Sequence, residues 1–170
     1  MGEDFFVRLF EHNNWANLQI VRACAALSDA QLDAEPTSAT QGSIRSTLTH
    51  MLRSQRGYLR QLTLPLQDRL DSVPVPSITE MEDFARLSGE ELIALARDPS
   101  GIVKGHIQSR DGFVFEPWVV MLQIINHATE HREQIKSMLT AQGITPPSID
   151  GWDYAEFTGA MVPAEKPNKG

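Results

Sequence analysis

Cysteine is almost missing from this chain: Cys24 is the only one in 170 residues. An internal disulfide is therefore excluded, and with it the stapled fold of a small secreted domain. Long apolar runs are absent too, since no segment approaches the ~18 consecutive apolar residues that a membrane span needs. Basic residues are outnumbered, 15 Lys and Arg against 22 Asp and Glu, for a formal net charge of -7. A general nucleic-acid-binding role needs a basic footprint and does not fit that balance. The start, Met1-Gly2-Glu3-Asp4-Phe5-Phe6, is acidic and lacks the basic opening of a signal peptide. There is no internal repeat, no phosphate-binding loop and no dinucleotide-binding glycine motif. Together these absences predict a cytoplasmic protein without nucleic-acid or membrane partners; the partner expected is a small-molecule substrate.

What is present reads as one globular domain. The hydrophobic fraction is 41% and the charged fraction 22%, and the length suits a single core. We expect that domain over residues 1–160, followed by a flexible tail over 161–170 that is rich in Pro and Lys.

Helical spacing dominates the chain. From Asp4 to Leu27, the residues Phe6, Leu9, Phe10, Ala16, Ile20, Ala23 and Leu27 fall near one face, with Trp15 beside them. Asn13, Asn14 and Asn17 crowd the middle of this helix although Asn is a weak helix former. A functional face is one explanation; we read them as a solvated face. Ser28 to Gln41 has turn chemistry. Ser43 then caps a second helix that runs to Leu62. Its apolar stripe is Ile44, Leu48, Met51, Leu52, Leu59 and Leu62, and its basic flank is Arg45, Arg53, Arg56 and Arg60. Its third face carries Ser43, Ser46, Thr47, His50, Ser54 and Gly57. Small residues around one imidazole suit a cleft wall, and a plain solvent face is the alternative.

Leu64-Pro65 ends that helix, and Pro74 and Pro76 keep the connection extended. Thr79 with Glu82 reads as a capping box for a third helix to Asp98, with Ser88-Gly89 able to bend or split it. Asp111-Gly112, between Ile102–Ile107 and Phe113–Phe115, predicts a hairpin on a type I′ turn. His106 reads as an ordinary residue of that ribbon.

The last long helix opens on Pro117 and closes before Gly143. Val120, Ile124, Ala128, Ile135, Met138 and Leu139 share its buried face. His131 lies within that stripe and His127 on its edge, four residues apart and so one above the other. Two imidazoles at that spacing can converge on one metal ion; hydrogen-bonded histidines beside a core are the simpler reading. His-Ala-Thr-Glu-His lacks the glutamate that a zincin places after its first histidine, and Glu130 points about 100° away from His131 around the helix.

These parts, in this order, resemble the DinB-like family of helical-bundle metalloproteins. The resemblance runs from Phe5 to Phe157. It is carried by Asn13-Asn14-Trp15-Ala16-Asn17, by Gly42-Ser43-Ile44-Arg45-Ser46-Thr47-Leu48-Thr49-His50, and most of all by Asn126-His127-Ala128-Thr129-Glu130-His131-Arg132-Glu133-Gln134-Ile135, followed by Leu139, Gly143 and Pro146-Pro147. His12 departs from the pattern, standing where the family motif has a tyrosine.

The resemblance implies an all-α fold: a four-helix bundle, here with a short hairpin-like insertion before the last long helix. It also implies a metal site with one histidine from the second helix and two from the fourth, which match His50, His127 and His131. Imidazole ligands suit zinc or nickel, and also copper or iron, rather than magnesium or calcium. Three protein ligands leave a position for water or substrate. Relatives of known activity are mostly transferases or isomerases that use a low-molecular-weight thiol. The implied function is thus a metal-dependent S-transferase, with a metal-dependent hydrolase or a non-enzymatic stress-associated metal-binding protein as alternatives. Family members are commonly homodimers, and the apolar excess at Phe5 and Phe6 agrees with association.

Overall fold

The computed structural model describes residues 2–36, 42–69 and 72–164. Four long helices form the body: α1 (Gly2–Ala25), α3 (Ile44–Thr63), α4 (Met81–Arg97) and α5 (Pro117–Ala141). A one-turn α2 (Asp29–Leu32) follows α1, and α6 (Gly151–Phe157) follows α5. Two-residue strands, β1 (Ile107–Gln108) and β2 (Val114–Phe115), pair antiparallel before α5. α1 packs most extensively on α4, and α3 on α5. The architecture is therefore the all-α bundle with a small hairpin insertion that the family resemblance implies. No described helix is long and apolar enough to cross a membrane.

On α3 and α5 the predicted stripes are the buried ones, whereas on α1 Phe10, Ala16 and Ile20 are buried and Phe6 is exposed. On α3, Ile44, Leu48, Met51, Leu52, Leu59 and Leu62 are buried, and on α5, Val120, Ile124, Ala128, Ile135, Met138 and Leu139. Pro117 opens α5. Gly143 closes it at φ 73°, with Ile144 N–H donating to Leu139 O and Gly143 N–H to Thr140 O. Those two bonds are the Schellman pattern, and they need a left-handed residue at that position. Phe5 and Phe6 at the start of α1 remain exposed.

The apolar core has two parts. One gathers Ala16, Ile20, Leu48, Leu52, Ala85, Ala128 and Ile135. The other gathers Phe10, Leu59, Leu62, Leu92, Val120 and Ile124. On α1, α3 and α4 a polar residue separates the two: Asn13, Gln55 and Ser88, all buried. Arg132 reaches this belt from α5. Its Nη1 donates to Asn13 Oδ1 and to Asn17 Oδ1, both at 2.7 Å. Asn17 Nδ2 donates to Gln55 Oε1 at 2.9 Å, and Gln55 Nε2 to Ser88 Oγ at 2.8 Å. The belt thus ties all four long helices together. The solvated face expected for Asn13, Asn14 and Asn17 is corrected by this: they are 2%, 9% and 0% exposed. Asn13 and Asn17 are tolerated mid-helix because their side-chain oxygens satisfy a buried cation, whereas the buried Asn14 Oδ1 has no hydrogen-bond partner among the described residues.

Other local expectations are revised. The Ser28–Gln41 turn region contains α2, held by a reciprocal box between Ser28 and Gln31; residues 37–41 lie outside the described residues. The box predicted for Thr79 and Glu82 is not formed. Ser77 instead holds Glu80, with its N–H 2.9 Å and its Oγ 2.5 Å from Glu80 Oε2. Glu82 is drawn away to Arg22 of α1 at 2.8 Å. Ser88-Gly89 does not split α4, which runs unbroken from Met81 to Arg97. Gly89 serves close approach, since a Cβ there would fall 2.0 Å from Asn14 Oδ1. The hairpin turn is not type I′. Gly112 alone takes positive φ, at 93°, and Gly112 N–H donates to Ser109 O within a loop spanning Ser109 to Phe113. Type I′ needs two such residues, and Asp111 does not supply the second. Of the predicted tail, residues 165–170 lie outside the described residues.

Candidate metal centre

Ser43 caps α3, accepting from Ser46 N–H, and so fixes where the first turn begins. His50 then falls on the face opposite the apolar stripe and is exposed. α3 packs on α5, and this brings His50 to the ridge that carries His127 and His131. His127 is half-buried and His131 is buried. His50 Nε2 lies 3.1 Å from His127 Nε2, and His131 Nε2 lies 3.2 Å from the same atom. The ligand atoms of all three fall within 4.8 Å of one another. Tyr58, two turns after His50, sets its ring edge-on to His127 at 5.6 Å.

The polarity of the cluster follows from one neighbour. His131 Nδ1 lies 2.7 Å from Gln134 Oε1. An amide oxygen only accepts, so His131 carries its proton on Nδ1 and turns the Nε2 lone pair inward. His127 Nε2 is a single ring position, either a donor or an acceptor, and cannot form good hydrogen bonds to both neighbours. A cation shared by three lone pairs satisfies all of them. Two nitrogens each at about 2.1 Å from one ion stand about 3.0 Å apart at a right angle and about 3.4 Å apart at a tetrahedral angle. The observed 3.1 and 3.2 Å lie between those limits. The three imidazoles therefore form a cluster that can hold a metal ion.

The charge state agrees. Burial, with His131 and His50 beside it, pushes His127 down to about 4. His50 is lowered by burial first, then by His131 and Arg53. Both are neutral at pH 7, the form that ligates. Arg132, next to His131, is lowered to about 10, chiefly by burial, and stays a cation.

His12 and His106 are not part of the cluster. His12 Nε2 lies 3.0 Å from Ile149 O, and its ring packs on Trp15 and Tyr154. His106 meets Glu116 at 2.8 Å beside the hairpin, as an ordinary residue of that ribbon. Sequence reasoning passed over Gln134 and Arg132. The three-residue spacing of Gln134 from His131 on one helix was the available signal for the first. For Arg132 the signal was its place in the four-residue series Val120, Ile124, Ala128, where a charge must be buried.

A hollow of about 630 Å³ opens beside His50. Its lining includes Ser46, Thr49, Arg53 and Ser54 of α3 and Ser72 and Val73 of the following connection. The small-residue face of α3 is thus a cleft wall.

A family model described as the DinB family matches residues 1–167. The chain is also similar to Protein DinB of Bacillus subtilis (strain 168), with 29% identity over 166 residues, covering 91% of this chain and 96% of that one. No solved structure matches it.

Proposed function

The chain belongs to the DinB family, and we propose that it is a metal-dependent enzyme of the thiol S-transferase class, with His50, His127 and His131 holding one divalent transition ion, zinc or nickel. The observation that carries this reading is the convergence of three Nε2 atoms from two helices. An ion held there lowers the pKa of a bound thiol and so supplies a thiolate at neutral pH.

The residues favour a thiol brought from outside. Cys24 is buried in the apolar core and pushed up to about 12 by that burial, so the chain's own thiol is protonated and out of reach. Gln134 fixes the tautomer of His131, and Tyr58 restricts the ring of His127. The exposed side of His50 faces the hollow through which a small molecule enters. Among the described residues no carboxylate joins the three histidines. Zinc hydrolases commonly pair their water with such a base, and for this reason we place a hydrolase second.

Metal analysis of untagged protein, followed by turnover of electrophiles with and without a low-molecular-weight thiol, tests the reading. Wild type is expected to hold one equivalent of ion and to require the thiol, with a rate that saturates in it. His127→Ala is expected to lose both metal and rate. A rate indifferent to thiol and lost in His127→Ala would favour the hydrolase, and full metal retention in a His127→Ala/His131→Ala double variant would remove the centre itself.

A further inference from the structure

α3 carries a glycine in its interior, where alanine would make a better helix. Among the described residues a Cβ added at Gly57 would meet nothing within 4 Å, so none of them requires the small residue. Gly57 borders a second hollow, of about 340 Å³, whose wall includes Arg60, Arg69, Ser72, Ser109 and Arg110. Arg60 Nη1 is buried and has no hydrogen-bond partner among the described residues. Arg69 spends its donors on backbone carbonyls, those of Leu64 at 3.0 Å and Gln108 at 2.6 Å among them, so its charge is left unneutralised by these contacts. Burial, and then the charge of Arg110, lowers Arg69 further. Among the described residues the one carboxylate that lines this hollow belongs to Asp111. The chain as a whole is acidic, at -7, yet three arginines, Arg60, Arg69 and Arg110, line this one hollow.

This second hollow adjoins the one at His50, because Ser72 and Val73 wall both. Arg53 pins that shared wall, donating to Val73 O at 2.9 Å. Arg60 lies about 15 Å further along α3 than His50, at 1.5 Å of rise per residue.

We propose that the hollow at Gly57 is the anion subsite of the histidine centre, binding the carboxylate or phosphate of an acidic small molecule on Arg60, with the charge of Arg69 beside it. The placing of that molecule's reacting end at the three histidines rests on the function proposed above. The anion site itself rests on the arginines. The N–H donors of a guanidinium match either oxyanion, and the buried Nη1 of Arg60, without a partner among the described residues, has the most to gain from one.

Full-length, metal-free protein labelled with ¹⁵N is titrated with succinate, with inorganic phosphate and with uncharged succinamide at constant ionic strength, following backbone and arginine Nε–H resonances. Succinate or phosphate is expected to bind saturably and to shift the Arg60 resonance, and the anion that binds more tightly names the group preferred. Arg60→Gln is expected to raise Kd about tenfold or more. Gly57→Leu, which fills the hollow while favouring the helix, is expected to do the same, and Arg22→Gln, remote from it, is not. Zinc affinity is expected to be unchanged in Arg60→Gln and Gly57→Leu. Equal Kd values in wild type, Arg60→Gln and Gly57→Leu would overturn the subsite, as would succinamide binding as well as succinate. Anion binding that persists in a protein unable to bind zinc would keep the subsite and discard the centre.

Discussion

His131 Nδ1 lies 2.7 Å from Gln134 Oε1, one turn further along α5. That contact decides which nitrogen of His131 faces the other two imidazoles. Outer partners of this kind typically change metal affinity by about 10–100-fold. Gln134→Leu is therefore expected to weaken zinc binding within that range, measured by competition with a chromogenic chelator, while the circular dichroism of the helices stays unchanged. Undiminished affinity would mean that the ring is oriented by packing alone.

Arg132 is the centre of the polar belt, and its loss strands two buried amide oxygens, Asn13 Oδ1 and Asn17 Oδ1. Unsatisfied buried groups cost about 1–3 kcal/mol each. Arg132→Met is expected to destabilise by about 3 kcal/mol, which lowers Tm by roughly 6–12 °C in a chain of this length. Adding Asn17→Leu should cost less in that background than in wild type, because the partner is already gone. Strict additivity in a double-mutant cycle would contradict the belt as described.

Two helical glycines should respond with opposite signs. Alanine is favoured over glycine in a helix interior by about 0.8–1.0 kcal/mol. Gly57 has open space above it, so Gly57→Ala is expected to raise the urea midpoint. At Gly89 a Cβ would fall 2.3 Å from Asn14 Cγ, so Gly89→Ala is expected to lower it. If both variants were stabilised, the close approach of α1 to α4 would be looser than described.

The pH response of the metal-free protein follows from His127. Its folded pKa is about 4, and an unfolded histidine titrates near ~6.5. The unfolded chain then binds more protons between those values, so the contribution to stability is complete above about pH 6.5 and is lost as pH falls toward 4. His50 is shifted in the same direction. The urea midpoint is expected to fall over that window, with a shallower slope in His127→Ala. Bound metal should leave over the same window, since protons compete for the ligating nitrogens. An unaltered slope in His127→Ala would place the acid sensitivity elsewhere.

The helices were legible in the sequence because their signals are local. The stripes on α3 and α5, Ser43 at a start and Gly143 at an end, each depend on residues within a few positions, and the structure keeps them. The pairing of His127 with His131 was legible for the same reason, being one turn of one helix. His50 stood out on its small-residue face, but its meeting with His127 joins residues 77 apart and was reachable only through the family resemblance. Asn13, Asn17, Gln55 and Arg132 were not legible as a unit: Arg132 reaches Asn13 across 119 residues. Polar residues mid-helix look alike in sequence whether water or a buried cation satisfies them. Which of the two applies is settled by the packing of α1 against α4 and of α3 against α5, because only that packing removes the water.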